Sequence, residues 1–167
     1  IIIALARPQT RLSVQDMNTM GIDILLTMDL SASMLAKDFK PNRLESAKSV
    51  AIEFIDSRPS DRIGLVVFSG EAYTQCPLTI DHSVLKNLLS TVEPNFLADG
   101  TAIGMGLATA VNRLRESKSA GKVIILITDG ENNVGSVSPL TAAEIAREFG
   151  IRLYTIGVGS RGMAYSP

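Results

Sequence analysis

Thr27-Met28-Asp29-Leu30-Ser31-Ala32-Ser33, directly after the apolar run Ile22-Asp23-Ile24-Leu25-Leu26, places a carboxylate and two hydroxyls at alternate positions, Asp29, Ser31 and Ser33. All three donors are oxygens, and oxygen-only sets suit a hard cation such as Mg2+, Ca2+ or Mn2+ rather than zinc or copper. Three donors leave a six-coordinate shell incomplete, and two later stretches offer more. Val123-Ile124-Ile125-Leu126-Ile127-Thr128 is a second apolar run that ends in a carboxylate, Asp129, followed by Gly130. Asp99-Gly100-Thr101 is a turn with a hydroxyl just before a helical pattern that starts at Ala102. Each residue also has an ordinary use. Ser31, Ser33 and Thr101 could cap helices, and Asp129-Gly130 could be a plain turn. Five oxygen-bearing positions, each at a strand end or helix start, fit one metal centre better than five separate caps and turns.

The elements that must position these groups are legible from periodicity. Residues 22–26, 63–68 and 123–128 are short, apolar and rich in β-branched residues, as buried strands are. Asn42, followed by Glu45, opens a helix with Leu44, Ala47, Val50, Ala51, Phe54 and Ile55 on one face. Asp81 caps a second helix, with face Val84, Leu85, Leu88, Leu89 and Val92. A third carries Ile103, Leu107, Val111 and Leu114, and Gly104 and Gly106 in its first turns imply close approach, to the Asp29 loop or to the sheet. Ser138-Pro139 starts a fourth, with Leu140, Ala143, Ala146 and Phe149 on its face and Gly150 just past its end. The segment near Tyr73 reads as a short antiparallel edge strand, and residues 151–156 as the last strand. Strands alternating with helices predict an α/β fold with a doubly wound, mostly parallel sheet covered on both faces. In such sheets ligands gather at the carboxyl ends of the strands, where the strand order reverses.

The 167-residue chain is long enough for one domain with a real core, and its formal charge of −1 lacks the basic excess of a nucleic-acid footprint. The one cysteine, Cys76, cannot close an internal disulfide and reads as a buried strand thiol. The one histidine, His82, begins a helix and reads as a surface or capping residue. Gly157-Val158-Gly159-Ser160-Arg161-Gly162 matches a dinucleotide fingerprint, but no helix and βαβ unit follow it, so no nucleotide is expected there. Ile1 to Ala6 are apolar and meet Arg7-Pro8. Residues 1–20 are accordingly expected to be the end of a membrane segment and a linker, and residues 21–167 the folded domain.

Asp-x-Ser-x-Ser, then a lone Thr, then Asp-Gly after a strand is the pattern of the metal-ion-dependent adhesion site (MIDAS). From about Gly21 to about Gly159 the chain resembles a von Willebrand factor type A (VWA) domain. The resemblance implies a Rossmann-like sheet, with the family's final strand and helix absent from this sequence. It implies a metal held by Asp29, Ser31, Ser33, Thr101 and Asp129, with an acidic residue of a partner protein completing the shell. Ser31 and Ser33 would bind directly, and Asp29, Thr101 and Asp129 directly or through water. Leu5-Ala6-Arg7-Pro8-Gln9, Met28-Asp29-Leu30-Ser31-Ala32-Ser33-Met34, Asp38-Phe39-Lys40-Pro41-Asn42-Arg43-Leu44 and Thr128-Asp129-Gly130-Glu131-Asn132 further resemble the BatA/BatB aerotolerance proteins of bacteria. That resemblance implies a non-enzymatic interaction module anchored in the bacterial inner membrane, linked to other Bat proteins and to a MoxR-type AAA+ ATPase. It also implies a periplasmic domain, although Arg7 and Arg11 beside the apolar run would suit a cytoplasmic flank. The alternative is a Mg2+-dependent hydrolase or phosphotransferase using the same site. A haloacid-type phosphatase would need an Asp where Ser31 stands, and Lys37, Asp38, Asp99 and Glu131 read more simply as solvated loop charges.

Overall fold

The computed structural model describes residues 21–94 and 98–159. Strands β1 (Asp23–Asp29), β2 (Arg62–Phe68), β3 (Ala72–Thr79), β4 (Lys122–Thr128) and β5 (Arg152–Gly157) form one sheet in the order β3-β2-β1-β4-β5. β1 pairs parallel with both β2 and β4, β5 joins β4 in parallel, and β3 is the antiparallel edge. The chain winds outward from β1 to β3 and then crosses back to β4. The order therefore reverses between β1 and β4, and the crevice opens at their carboxyl ends.

Strand alternation sends successive side chains to opposite faces, and each face has its own core. Ile24, Leu26 and Met28 of β1 join Ile63, Leu65 and Val67 of β2 beneath α1 (Arg43–Asp56) and α2 (His82–Ser90). Leu25, Val66, Phe68, Ile124 and Leu126 face the other way, against α3 (Ile103–Leu114) and α4 (Pro139–Glu148). The expected caps form. Asn42 Oδ1 accepts from the Glu45 amide at 2.8 Å, Asp81 Oδ1 from Val84 at 3.2 Å and Ser138 Oγ from Thr141 at 3.1 Å. Gly150 adopts φ +66, the left-handed conformation that follows many helices.

Several face assignments need correction. Val50 is 62% exposed and Leu140 71%, while Val84 and Phe149 are also partly exposed to solvent. Their helices bury narrower stripes, and Lys48 and Ala142 are turned inward instead. A period of 3.6 fixes which residues share a face but leaves the width of contact to the neighbours. Gly104 and Gly106 do not approach the Asp29 loop. A Cβ on Gly104 would sit 1.9 Å from the Val137 carbonyl oxygen, and one on Gly106 would sit 2.7 Å from the Phe68 ring. Close packing on the pre-α4 loop and on the sheet explains both. The edge strand β3 is longer than a short return, at eight residues. No helix among the described residues is long and apolar enough to cross a membrane. The expectations for residues 1–20 and for the last three positions of the glycine-rich run lie outside the described residues.

Candidate metal centre

Asp29 is the last residue of β1, opposite the last residue of β2, Phe68. On the other side Met28 pairs with Ile127, which brings Thr128 level with Asp29. This register delivers both strand-end carboxylates, Asp29 and Asp129, to the crevice. After Asp29 the chain leaves the sheet and turns through a single 3-10 turn, Ala32–Leu35, stabilised by Met34 N–H donating to Ser31 O at 3.0 Å. That turn folds Ser31 and Ser33 back over the strand end.

Hydrogen bonds link these groups, through the Ser31 backbone amide between Asp29 and Ser31 and through side-chain oxygens elsewhere. Asp29 is fully buried, its Oδ1 accepting from the Ser31 amide at 2.8 Å and its Oδ2 from Thr128 Oγ1 at 2.5 Å. Ser31 Oγ lies 3.0 Å from Ser33 Oγ, and Ser33 Oγ donates to Asp129 Oδ1 at 2.7 Å. Thr101 reaches the same place from a different loop. Ala102 N–H donates to Ser69 O at 2.6 Å and Ser69 Oγ donates to Gly100 O at 2.9 Å, which fastens this loop to the end of β2. Thr101 Oγ1 lies 4.0 Å from where a Gly130 Cβ would stand. The structure thus gathers Asp29, Ser31, Ser33, Thr101 and Asp129 at one end of the sheet.

Burial pushes the Asp29 carboxyl above its ordinary value, hydrogen bonds from Ser31 and Thr128 oppose this, and the Asp129 charge adds to the rise. Such a site gains from a nearby cation, because two carboxylates leaving water together are otherwise costly. The donor chemistry therefore fits a hard divalent ion. Among the described residues no three His, Cys, Asp or Glu side chains cluster to hold a metal, so a site here would depend on the hydroxyls.

Sequence reasoning missed four residues here. Arg43, the first residue of α1, donates from Nη1 to Asp129 Oδ2 at 2.7 Å and from Nε and Nη2 to both Asp38 oxygens at 2.8 and 2.9 Å. Bonds to Asp38 and then Asp129 hold its guanidinium above its already high ordinary value. Thr128 ties the two strand ends together. Asn133 Oδ1 accepts from Thr101 N–H at 2.8 Å, and Asn132 Oδ1 accepts from Gly104 N–H at 3.2 Å. The two amides directly after Asp129-Gly130-Glu131 were the available signal for the latter pair. Arg43 gave none, because its contact with Asp129 is made across 86 residues.

Of the other ionisable candidates, Lys37, Asp99 and Glu131 are exposed, as solvated loop charges would be, and Asp38 is gripped by Arg43. Cys76 is buried in β3, and burial together with the Asp81 charge pushes its thiol up, away from thiolate chemistry. His82 Nε2 lies 3.0 Å from the Asp61 carbonyl oxygen, beside the start of β2 and thus at the opposite end of the sheet.

Comparison with known proteins agrees with this geometry. The von Willebrand factor type A domain family matches residues 23–164. The crystal structure of an aerotolerance-related membrane protein from Bacteroides fragilis superposes with a TM-score of 0.82 at 36% identity, covering 88% of this chain and 72% of that one. The conserved hypothetical protein BatB from Bacteroides thetaiotaomicron gives 0.77 at 34% identity, covering 88% and 75%. Proximal thread matrix protein 1 from the mussel byssus, a structure with a zinc-occupied MIDAS motif, gives 0.74 at 30% identity, covering 84% and 36%. The chain spans about half the length of the curated relatives it matches. A sheet that reverses between β1 and β4, with the oxygen run at that reversal and a family match over nearly the whole described chain, leads to one assignment: the chain belongs to the von Willebrand factor type A domain family.

Proposed function

We propose that this domain captures an acidic side chain of a protein partner through a divalent cation held by Asp29, Ser31, Ser33, Thr101 and Asp129. The observation that carries this reading is the hydrogen-bonded chain from Thr128 through Asp29, the Ser31 amide and hydroxyl, and Ser33 to Asp129 at the strand-order reversal. A cation bound there would supply a Lewis-acidic centre able to take one more anionic oxygen. Asp29 provides buried charge, oriented by the Ser31 amide and the Thr128 hydroxyl. The 3-10 turn holds the two serine hydroxyls, and the Ser69 and Asn133 bonds hold Thr101. An open depression lined by Thr128, Asp129, Gly130, Gly157 and Gly159 adjoins the site and gives a partner room to approach.

Mg2+ is the proposed ion, with Mn2+ or Ca2+ able to replace it, since all five donors are oxygens. Binding without turnover is supported by the placing of Cys76 and His82 away from the site and by the grip of Arg43 on Asp38. By analogy with the aerotolerance-related membrane protein and BatB, we place the domain in a bacterial membrane-anchored assembly. Its partners there would be other Bat proteins and a MoxR-type AAA+ ATPase, with the domain itself on the periplasmic side.

Titration calorimetry with Mg2+ and Mn2+ tests the site. The domain should bind, and Asp29→Ala should weaken binding by at least about 100-fold, since even outer partners of metal ligands carry 10–100-fold effects. Equal affinity in the variant would discard the site. Metal-dependent hydrolysis of a simple phosphoester, lost in the same variant, would replace capture with catalysis.

A further inference from the structure

We infer that Arg43 is a positioning residue that holds Asp129 away from direct coordination and so keeps the bound cation electrophilic toward a partner's carboxylate. The inference rests on the metal-binding reading above and assigns a role to a residue outside the five-residue motif. Both Asp129 oxygens are already engaged, Oδ1 by Ser33 Oγ at 2.7 Å and Oδ2 by Arg43 Nη1 at 2.7 Å. The Asp129 side chain is wholly buried and that of Arg43 nearly so. The arginine cannot readily swing aside. Its Nε and Nη2 are locked to both Asp38 oxygens.

The chemistry of the two contacts differs. A serine hydroxyl can offer a lone pair to a metal while its hydrogen stays on a carboxylate, so the Ser33–Asp129 bond is compatible with metal binding. The Arg43–Asp129 bond is not neutral toward it. A guanidinium on Asp129 shares that residue's charge and repels a nearby dication. Its planar fork fixes the carboxylate in one orientation, which a lysine ammonium could not do for Asp38 and Asp129 together. With Asp129 so restrained, Asp29 is the one carboxylate left to neutralise the ion directly. The remaining positive charge is then available to an incoming acid.

Removing Arg43 should therefore tighten the metal while blunting its reach for an external acid. The test uses Mn2+ as probe on the wild type, Arg43→Gln and Arg43→Lys, with calorimetry for affinity and water-proton relaxation for the waters the bound ion retains. Arg43→Gln should bind Mn2+ roughly tenfold more tightly, the equivalent of one lost charge-assisted hydrogen bond. It should also show one fewer exchangeable water and weaker displacement of water by added glutarate. Arg43→Lys should fall between the two and keeps the test open should Arg43→Gln not fold. Equal or weaker Mn2+ affinity in these variants, with hydration unchanged, would overturn the role of Arg43 while leaving the metal site standing. A wild type that binds no Mn2+ would remove the metal reading and this inference with it.

Discussion

Asp29 is buried to the last atom beside a second carboxylate, and that placement costs the metal-free domain stability. Burial and the Asp129 charge raise its folded value above the 3.8 of an ordinary Asp, and the bonds from Ser31 and Thr128 only partly offset this. For a raised carboxyl the stabilising contribution is fully present below the unfolded value and is lost as pH rises through the folded value. The metal-free protein should therefore melt at a lower temperature at neutral pH than Asp29→Asn, and the gap should close as pH falls toward 3.8. The amide still accepts from the Ser31 N–H, so the loop keeps its anchor. Melting in EDTA across pH checks this, and a wild type more stable than Asp29→Asn at pH 7 would refute it. The same acidification should weaken metal binding, because the proton and the cation compete for one carboxylate.

At the scale of elements, the site is only as well placed as the helices that brace its loops. α3 begins one residue after Ala102 and is pressed onto the loop before α4 at Gly104, where a Cβ would meet the Val137 carbonyl oxygen at 1.9 Å. Both parties are backbone, so relief requires α3 and that loop to separate. Gly104→Ala should destabilise the domain by about 1–3 kcal/mol despite alanine's better helix propensity. It should also disturb Thr101 through the shared Asn132 and Asn133 bonds. Urea denaturation gives the first effect and Mn2+ titration the second. A gain in stability would show that the loop yields freely. That these glycines mark close packing was readable in the chain, since glycine is disfavoured inside a helix. Packing on the sheet, as at Gly106, was among the readings, but the contact of Gly104 was not, because the pre-α4 loop lies more than thirty residues further on.

For the whole molecule, the two cores on either face of the sheet contain long apolar side chains that no metal touches. Hydrophobic burial is therefore the main source of stability, and an ion bound at the proposed site would contribute only its mass-action share. At a hundredfold excess over Kd that share is about 2.7 kcal/mol, which corresponds to a fall in Tm of about 5–10 °C on chelation. Circular dichroism in EDTA should show a folded domain. Full unfolding would make the ion structural.

The sequence by itself determined the alternation of strands and helices, the capping residues and the placing of five oxygen-bearing side chains at strand ends and a helix start. These follow from local chemistry: periodicity, propensity, and donors concentrated where apolar runs end. It also determined that Asp29 and Asp129 end strands. Only the tertiary structure decided that those strands are neighbours in register, that Val50 and Leu140 face solvent, and that Gly104 meets the pre-α4 loop. Arg43 marks the boundary most clearly. In the chain it is one basic residue at the start of a helix, while in the fold it spans Asp38 and Asp129, whose second contact lies 86 residues away. A charge at a helix start has no sequence periodicity to reveal its partner, because the pairing is set by which strand ends the sheet brings beside it.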